Sequence, residues 1–577
     1  GGGTVMFKRN GFLRPPPPPH WPNPMMPGLP GPKPKLPMPP FTCQQQRITH
    51  ADGTWSDLSL LRFPAEALHF EDIVLKDHYV RLRDGARLRY YKARIRGEAD
   101  PLVIAWACLE ADHPAPPLFP TRNTITHEGE HLLSANAFVT HTLRELVRRG
   151  WLRWEGGSWG ADVPPGYTGW RERARVVLGW LTAEGRLWLE AGPDHAPPTQ
   201  TAFEGCDPLL HVTAVGRCGF VRDIVRQQLP RAAFNTSFFL FEHDDYLSHY
   251  SAWGDAYGLL VHDGVILRPP LYSRAVILSG PDGRWRVERM GMADVRLILP
   301  HGTALCPPGD ALPDGLPFVV NPDEETDVAL YTRHFGVSTH GYPLGRTPQA
   351  AGRFELVIID RRVVGWKRGG GLLIPQNGYV LSFAAAEGGG PLTRMGGLAA
   401  SIAALRSLLK GGHLSYSFAH PRHQGIKRAV QAGPLLIQDG KPVLSATSFE
   451  EEEYWSSHQE GADYRYGIAP TEFPLDINRS RAARIALGID GEGDLLVLAI
   501  SGTSKGIARA DMDSAGATLE ELTSYLLNAG ATAAINLDGG GSTQVFVEGG
   551  LYNHPGDRRG RQGVAYERMV PTIGIVT

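Results

Sequence analysis

Apolar residues recur along this chain in different rhythms. Residues 1–46 have almost no rhythm: Pro15 to Pro19 are consecutive, and proline keeps returning as far as Pro40. Such a stretch lacks backbone donors and has fixed φ, so it favours an extended polyproline II path over a helix or a central strand. From 47 to 200 the text is globular. Val80 to Ile95 alternates about an Asp84–Gly85 turn, Leu102 to Leu109 is a continuous apolar run, and Phe138, Leu143 and Leu146 fall at helical spacing before Gly150. These patterns predict a hairpin, a buried strand and a helix. After residue 201 short strands, glycine turns and a few amphipathic helices alternate.

In this last region Val221 to Leu229 reads as a helix leading into a strand over Arg231 to Asn235. Further strands are predicted at Arg274 to Leu278, Phe354 to Asp360, Val363 to Trp366 and Gly378 to Phe383. Arg484 to Ile489 and Asp494 to Ile500 flank an Asp490-Gly-Glu-Gly493 turn and predict a hairpin. Thr518-Leu-Glu-Glu521 has the pattern of a capping box, Leu519, Leu522 and Leu526 form a helix stripe, and Gly530 marks its end. Ala531 to Leu537 then predicts a buried strand that delivers Asp538 at its polar end.

A length of 577 residues exceeds what one core can organise, so several domains are expected. A Pro-rich extended arm over 1–46, an N-terminal accessory domain over 47–200 and a third unit over 201–577 match the rhythm changes. Lys and Arg total 58 against 60 Asp and Glu, which argues against a face built for nucleic acid. No apolar run is long enough to span a membrane. The five cysteines include no Cys-x-x-Cys pair; Cys206 and Cys218 are close enough in sequence to be bridged, and the odd total leaves a thiol over. No metal site is expected from zinc spacing and no cofactor from a nucleotide-binding glycine pattern, while the sequence leaves room for a divalent cation.

The chemistry concentrates in Ile535-Asn-Leu-Asp-Gly-Gly-Gly-Ser-Thr543. A buried strand ends on Asn536 and Asp538, and Gly539, Gly540 and Gly541 let backbone N–H groups face a ligand without Cβ obstruction. Successive N–H groups of that kind form an anion nest, and Ser542 and Thr543 add hydroxyls. The plainer reading is a glycine-rich connection whose aspartate caps a turn.

The run Leu-Asp-Gly-Gly-Gly-Ser after a buried strand resembles the phosphodiester glycosidase family. Arg231-Ala-Ala-Phe-Asn235-Thr-Ser-Phe-Phe239 resembles that family's early strand, and Ala432-Gly-Pro-Leu-Leu436 and Arg481 to Gly488 resemble later segments in the same order. Asn553-His-Pro-Gly-Asp557 through Glu567-Arg568 is similar to its closing loop. Thr236, Gln431 and Thr543-Gln544 depart from the family pattern. The resemblance makes 201–577 a phosphodiester-glycosidase-like domain and implies a mixed α/β (α+β) fold of curved mixed sheets flanked by helices. It implies hydrolysis of a sugar 1-phosphodiester in a surface glycan, glycolipid or wall polymer. On that reading Asp538 serves at the anomeric centre as base, nucleophile or stabiliser, Arg484 is the cationic partner, and Asn235 binds sugar hydroxyls. Gly539, Gly540, Gly541, Ser542 and Thr543, with Asn536 and Gly433, hold the substrate. Arg558, Arg559 and Arg561 read either as a phosphate site or as a solvated loop, and Phe449 to Glu453 as a solvated acidic turn. The expected partners are a glycan or sugar-phosphate substrate and further copies of the chain bound through 1–46, at an extracellular, cell-surface or virion location. The alternative is a non-catalytic structural or carbohydrate-binding subunit of an extracellular filament or virion, assembled through the arm.

Overall fold

A computed structural model describes residues 40–73, 88–94, 102–109, parts of 145–175, 188–191, 218–241, most of 254–336, Thr339, 353–368, Leu372, 374–384, 413–459, 465–468, 480–503, 513–559 and 564–577. The proline run therefore lies outside the described residues, as do most of the helix expected at Phe138 to Arg148 and Cys206.

Three sheets frame the candidate site. The first has seven antiparallel strands in the order Thr42–Thr49, Trp55–Phe63, Leu495–Ile500, Arg484–Asp490, Ala531–Asn536, Leu435–Gln438 and Lys441–Pro442. Arg484–Asp490 and Leu495–Ile500 are buried at every position, as expected of near-continuous apolar runs in a sheet covered on both faces. The helix Leu519–Asn528 packs on this sheet through Leu519, Leu522 and Leu526. Its start is half of the expected capping box. Thr518 accepts the Glu521 N–H, while the Glu521 carboxylate turns away to Arg481 at 3.0 Å.

The second sheet runs Leu68–Asp72, Thr572–Val576, Ala232–Asn235, Val545–Val547 and Gly550–Leu551. The third runs Val265–Arg268, Leu260–His262, Arg428–Gln431, Arg274–Ser279 and Trp285–Met290. A single apolar cluster links the three, from Leu61 and Phe70 through Val276 and Val430 to Leu487 and Ile535.

Mixed α+β describes this architecture, with strand well in excess of helix. Pairing in these sheets is antiparallel; the parallel pairs among the described residues are the short edge contacts of Leu305 with Leu316 and Val319 with Ala329. Residues 42–72, divided by the sequence reading between arm and accessory domain, supply strands to the first and second sheets, hydrogen-bonded to Leu495–Ile500 and Thr572–Val576. The rhythm change near residue 47 thus falls inside a continuous sheet. Leu102–Leu109 is a strand, as its apolar run predicts, paired with Leu88–Arg94 and Trp188–Ala191.

Candidate active site

The site forms where the three sheets hand the chain to one another. The strand Ala531–Asn536 of the first sheet ends at Asn536, and nine residues later Val545 begins a strand of the second. The turn between them is pinned from both sides. The Asp538 N–H donates to the Thr236 carbonyl at 3.0 Å, and its own carbonyl accepts from Asn235 Nδ2 at 2.6 Å. The other end of that amide, Asn235 Oδ1, accepts the Gln544 N–H at 3.0 Å. One side chain therefore staples the start of the turn to its end. Asn235 is only 1% exposed, so the expected sugar-binding role is corrected: it positions Asp538.

The glycines have separate reasons. A Cβ on Gly539 would lie 2.7 Å from the Ala483 carbonyl, and one on Gly541 would collide with Asp557 and Arg568. Gly540 has φ of +60° with open space around it. The expected three-donor nest is smaller than the sequence implies. Gly540 N–H donates to Ala483 O at 2.8 Å, whereas those of Gly539 and Gly541 have no acceptor among the described residues. Ser542 and Thr543 N–H groups close a tight turn onto Gly539 and Gly540 at 3.2 and 3.1 Å.

Beneath the turn lies a charge pair that sequence reasoning missed. Arg568 grips Asp557 side-on, Nε to Oδ2 at 2.7 Å and Nη2 to Oδ1 at 2.8 Å. Its remaining Nη1 reaches Ser542 Oγ at 3.4 Å, and its guanidinium lies 3.9 Å from the Phe241 ring centre. The Ser542 hydroxyl is near enough to the Asp538 carboxyl to favour its ionised form. Burial pushes that carboxyl up to about 7, the Asp557 carboxylate adding to the rise while Ser542 and the Arg568 charge oppose it. The signal that could have found this pair was the closing-loop segment itself, which ends in Glu567-Arg568.

Arg484, expected to be the cation, is 5% exposed and donates to backbone: Nε to Ala517 O and Nη2 to Ser480 O, both at 2.9 Å. It ties its strand to the approach of the following helix, and Arg568 is the guanidinium beside Asp538. Asn536 and Gly433, expected to touch substrate, lock onto each other. Asn536 Nδ2 donates to Gly433 O at 3.0 Å and Gly433 N–H to Asn536 O at 2.9 Å. Gly433 has φ of +113°, and a Cβ there would lie 2.6 Å from Glu452 Oε1.

Glu452 overturns the solvated reading of the acidic run, because it and Phe449 are buried. The departure at Gln431 is likewise structural. Its carbonyl accepts Leu259 N–H at 3.0 Å, and its amide donates to Tyr272 O and Met290 O at 2.8 and 2.7 Å. Arg558 is packed rather than solvated, with Nη2 on Thr503 Oγ1 at 3.1 Å and Asp513 3.8 Å away. The Arg559 side chain and Arg561 lie outside the described residues.

Several polar atoms around the turn remain unspent. Thr236 Oγ1, Thr543 Oγ1, Gln544 Oε1 and Asn536 Oδ1 are buried with no hydrogen-bond partner among the described residues. Among those residues, no group of three or more His, Cys, Asp and Glu side chains is placed to hold a metal ion. No described helix is long and apolar enough to cross a membrane. The site thus brings together a carboxyl poised near neutrality, a hydroxyl, a guanidinium paired with a second carboxylate, and two uncommitted backbone donors.

Comparison with known proteins bears on what such a set is for. No curated protein matches the chain. Solved structures with similarity include a hypothetical protein from Synechocystis, at 13% identity and TM-score 0.33, covering 93% of this chain and 81% of that one. A Burkholderia pseudomallei K96243 protein, named as an exported one, has 17% identity and TM-score 0.36, covering 95% and 98%. The zebrafish N-acetylglucosamine-1-phosphodiester alpha-N-acetylglucosaminidase catalytic domain, auto-inhibited by its pro-peptide, has 11% identity and TM-score 0.33, covering 94% and 85%. At such scores these likenesses fix no chemistry. The family comparison is more direct, since a phosphodiester glycosidase family model matches residues 357–577, which contain Asp538, Ser542, Asp557 and Arg568. Over those residues, the resemblance of this chain to the phosphodiester glycosidase family is shown.

Proposed function

We propose that this chain hydrolyses a sugar 1-phosphodiester of a surface glycan, glycolipid or wall polymer, with Asp538 as general acid. The observation that carries the reading is the Asp538 carboxyl, raised to about 7 beside the hydroxyl that Arg568 reaches. A general acid or base works best with its pKa near the working pH. The nearness of Ser542 and the Arg568 charge to Asp538 supports a part as acid beside the phosphate over a part as base at the far face of the sugar.

Charge balance supports that assignment. With Asp538 protonated, Asp557 and Arg568 cancel, and the site can meet a phosphodiester anion. With Asp538 ionised, the three groups net one negative charge and repel it. The reaction breaks the bond between the anomeric carbon and the phosphate oxygen, and the electron pair stays on that oxygen. The leaving phosphate monoester takes the Asp538 proton, water adds its hydroxyl to the anomeric carbon, and the proton that water gives up goes to solvent, from which Asp538 is reprotonated. Arg568, the Ser542 hydroxyl and the N–H groups of Gly539 and Gly541 hold the phosphate oxygens as charge gathers there.

The test is release of phosphate monoester and free sugar from a panel of sugar 1-phosphodiesters, wild type against Asp538→Asn. Turnover by the wild type on at least one member, lost in the variant, is expected. No turnover of any member by the wild type, or equal turnover by both proteins, overturns the reading.

A further inference from the structure

We propose that a cleft on the outer side of the closing loop is an accessory subsite for a neutral sugar unit of the substrate, an inference that rests on the glycan reading above. The cleft is open to solvent and has a volume of about 320 Å³, at the lower end of the range for small-molecule sites, with room for a sugar ring. One wall is the start of the helix Val221–Gln228 with Phe220, Arg222 and Asp223. The other is the closing loop, with Pro555, Tyr566 and Glu567.

The chemistry of the walls selects among ligands. Arg222 grips Glu567 side-on, Nε to Oε1 at 3.0 Å and Nε to Oε2 at 3.1 Å, and its guanidinium lies 5.1 Å from the Phe546 ring centre. Glu567 is thereby fixed and neutralised, so a free cation gains little from it. Exposed Asp223 leaves the cleft with one guanidinium against two carboxylates, and that balance repels a phosphate. A neutral polyol fits both limits. Fixed carboxylate oxygens accept sugar hydroxyls, the guanidinium edge donates to others, and Phe220, Pro555 and Tyr566 offer apolar surface to sugar C–H groups.

Position ties the cleft to the reaction. The Tyr566 N–H donates to the Asp557 carbonyl at 3.2 Å, and Glu567 adjoins Arg568 in sequence. The loop that holds the site's charge pair on one side thus forms the cleft wall on the other. The division of labour is by charge: the phosphate goes to Arg568, and a sugar unit further along the glycan goes to the cleft.

The experiment uses the full chain carrying Asp538→Asn, so that nothing is turned over. Binding of neutral di- to tetrasaccharides of glucose, mannose, galactose and N-acetylglucosamine is followed by saturation-transfer NMR and calorimetry. At least one binds, and adding Phe220→Ala or Glu567→Gln weakens it about tenfold or more, with thermal unfolding showing the variants folded. No binding by any of them, or equal binding in the cleft variants, overturns the subsite. Binding that the cleft variants lose, in a protein whose wild type turns over no phosphodiester, keeps the subsite and overturns the proposed reaction. In an active wild type, Phe220→Ala raises KM for an oligosaccharide phosphodiester and leaves KM for a monosaccharide one unchanged; equal effects on both overturn the subsite.

Discussion

Two carboxyl groups in this protein are driven the same way by burial and serve opposite ends. Glu452 is fully buried, yet both its oxygens are spoken for: Oε1 accepts Ala275 N–H at 2.7 Å and Oε2 accepts Leu435 N–H at 2.8 Å, with Arg289 Nε 3.3 Å away. Burial raises it, and those N–H groups with Arg289 and Arg274 pull it back. Above it the Arg274 guanidinium lies 4.0 Å from the Tyr454 ring centre and donates to the Glu452 carbonyl at 3.2 Å. Glu452 is a staple between the first and third sheets. Asp538 is half-buried, has the Ser542 hydroxyl near its carboxyl, and sits among buried polar atoms with nothing to bond. Satisfaction, more than burial, separates a structural carboxylate from a poised one.

The largest effect should come from breaking the staple. Glu452→Ala leaves the buried Ala275 and Leu435 N–H groups without their acceptor and takes a counter-charge from Arg289, which keeps Glu451 at 2.9 Å, and unfolding should become easier by about 3–5 kcal/mol. Thermal or urea unfolding reads this directly; a loss below about 1 kcal/mol would place Glu452 in the same class as Asp538. Next comes the rate. Asp538→Asn should lower kcat/KM at least about 100-fold, or roughly 2.7 kcal/mol of barrier.

The same substitution should act oppositely on stability. Because the folded-state pKa of Asp538 is raised from 3.8 to about 7, its favourable contribution is complete below the unfolded value and is lost as pH rises through 7. Removing the charge should therefore stabilise the fold at pH 8 by about 1–2 kcal/mol, less than the full shift implies because the carboxyl is half-buried, and by almost nothing near pH 4. Unfolding midpoints that differ equally at both pH values contradict this. Smallest is Asn235→Ala, expected to reduce kcat about tenfold with KM nearly unchanged, since it loosens the placement of Asp538. A change confined to KM would return Asn235 to substrate binding.

Elements set by local pattern were legible in the sequence. Gly378–Phe383 and the two strands about Asp490–Gly493 lie within a residue of where alternation and turn chemistry put them. So does the helix starting at Leu519, whose cap and stripe are local properties. The turn at Asp538 was legible as a turn for the same reason, but its donors were not, because Gly539 and Gly541 are set by Ala483, Asp557 and Arg568 from elsewhere in the chain. What could not be read was which charges face one another. Arg484 and Arg568 look alike in sequence, and only the tertiary path gives one to backbone carbonyls and the other to Asp557 and Ser542. The glutamates at 450–453 look solvated because charge runs usually are, and sequence spacing cannot show that Glu452 accepts from Ala275 and Leu435 on two different sheets.

In the proposed reaction Asp538 works in its protonated form beside Arg568. The most direct measurement is the pH dependence of kcat/KM on a sugar 1-phosphodiester whose own ionisation is complete below pH 4. A plateau at acid pH that falls with an apparent pKa near 7 is expected, with loss of that limb in the residual activity of Asp538→Asn. A rate that instead rises through pH 7, or a falling limb that persists unchanged in the variant, would contradict it.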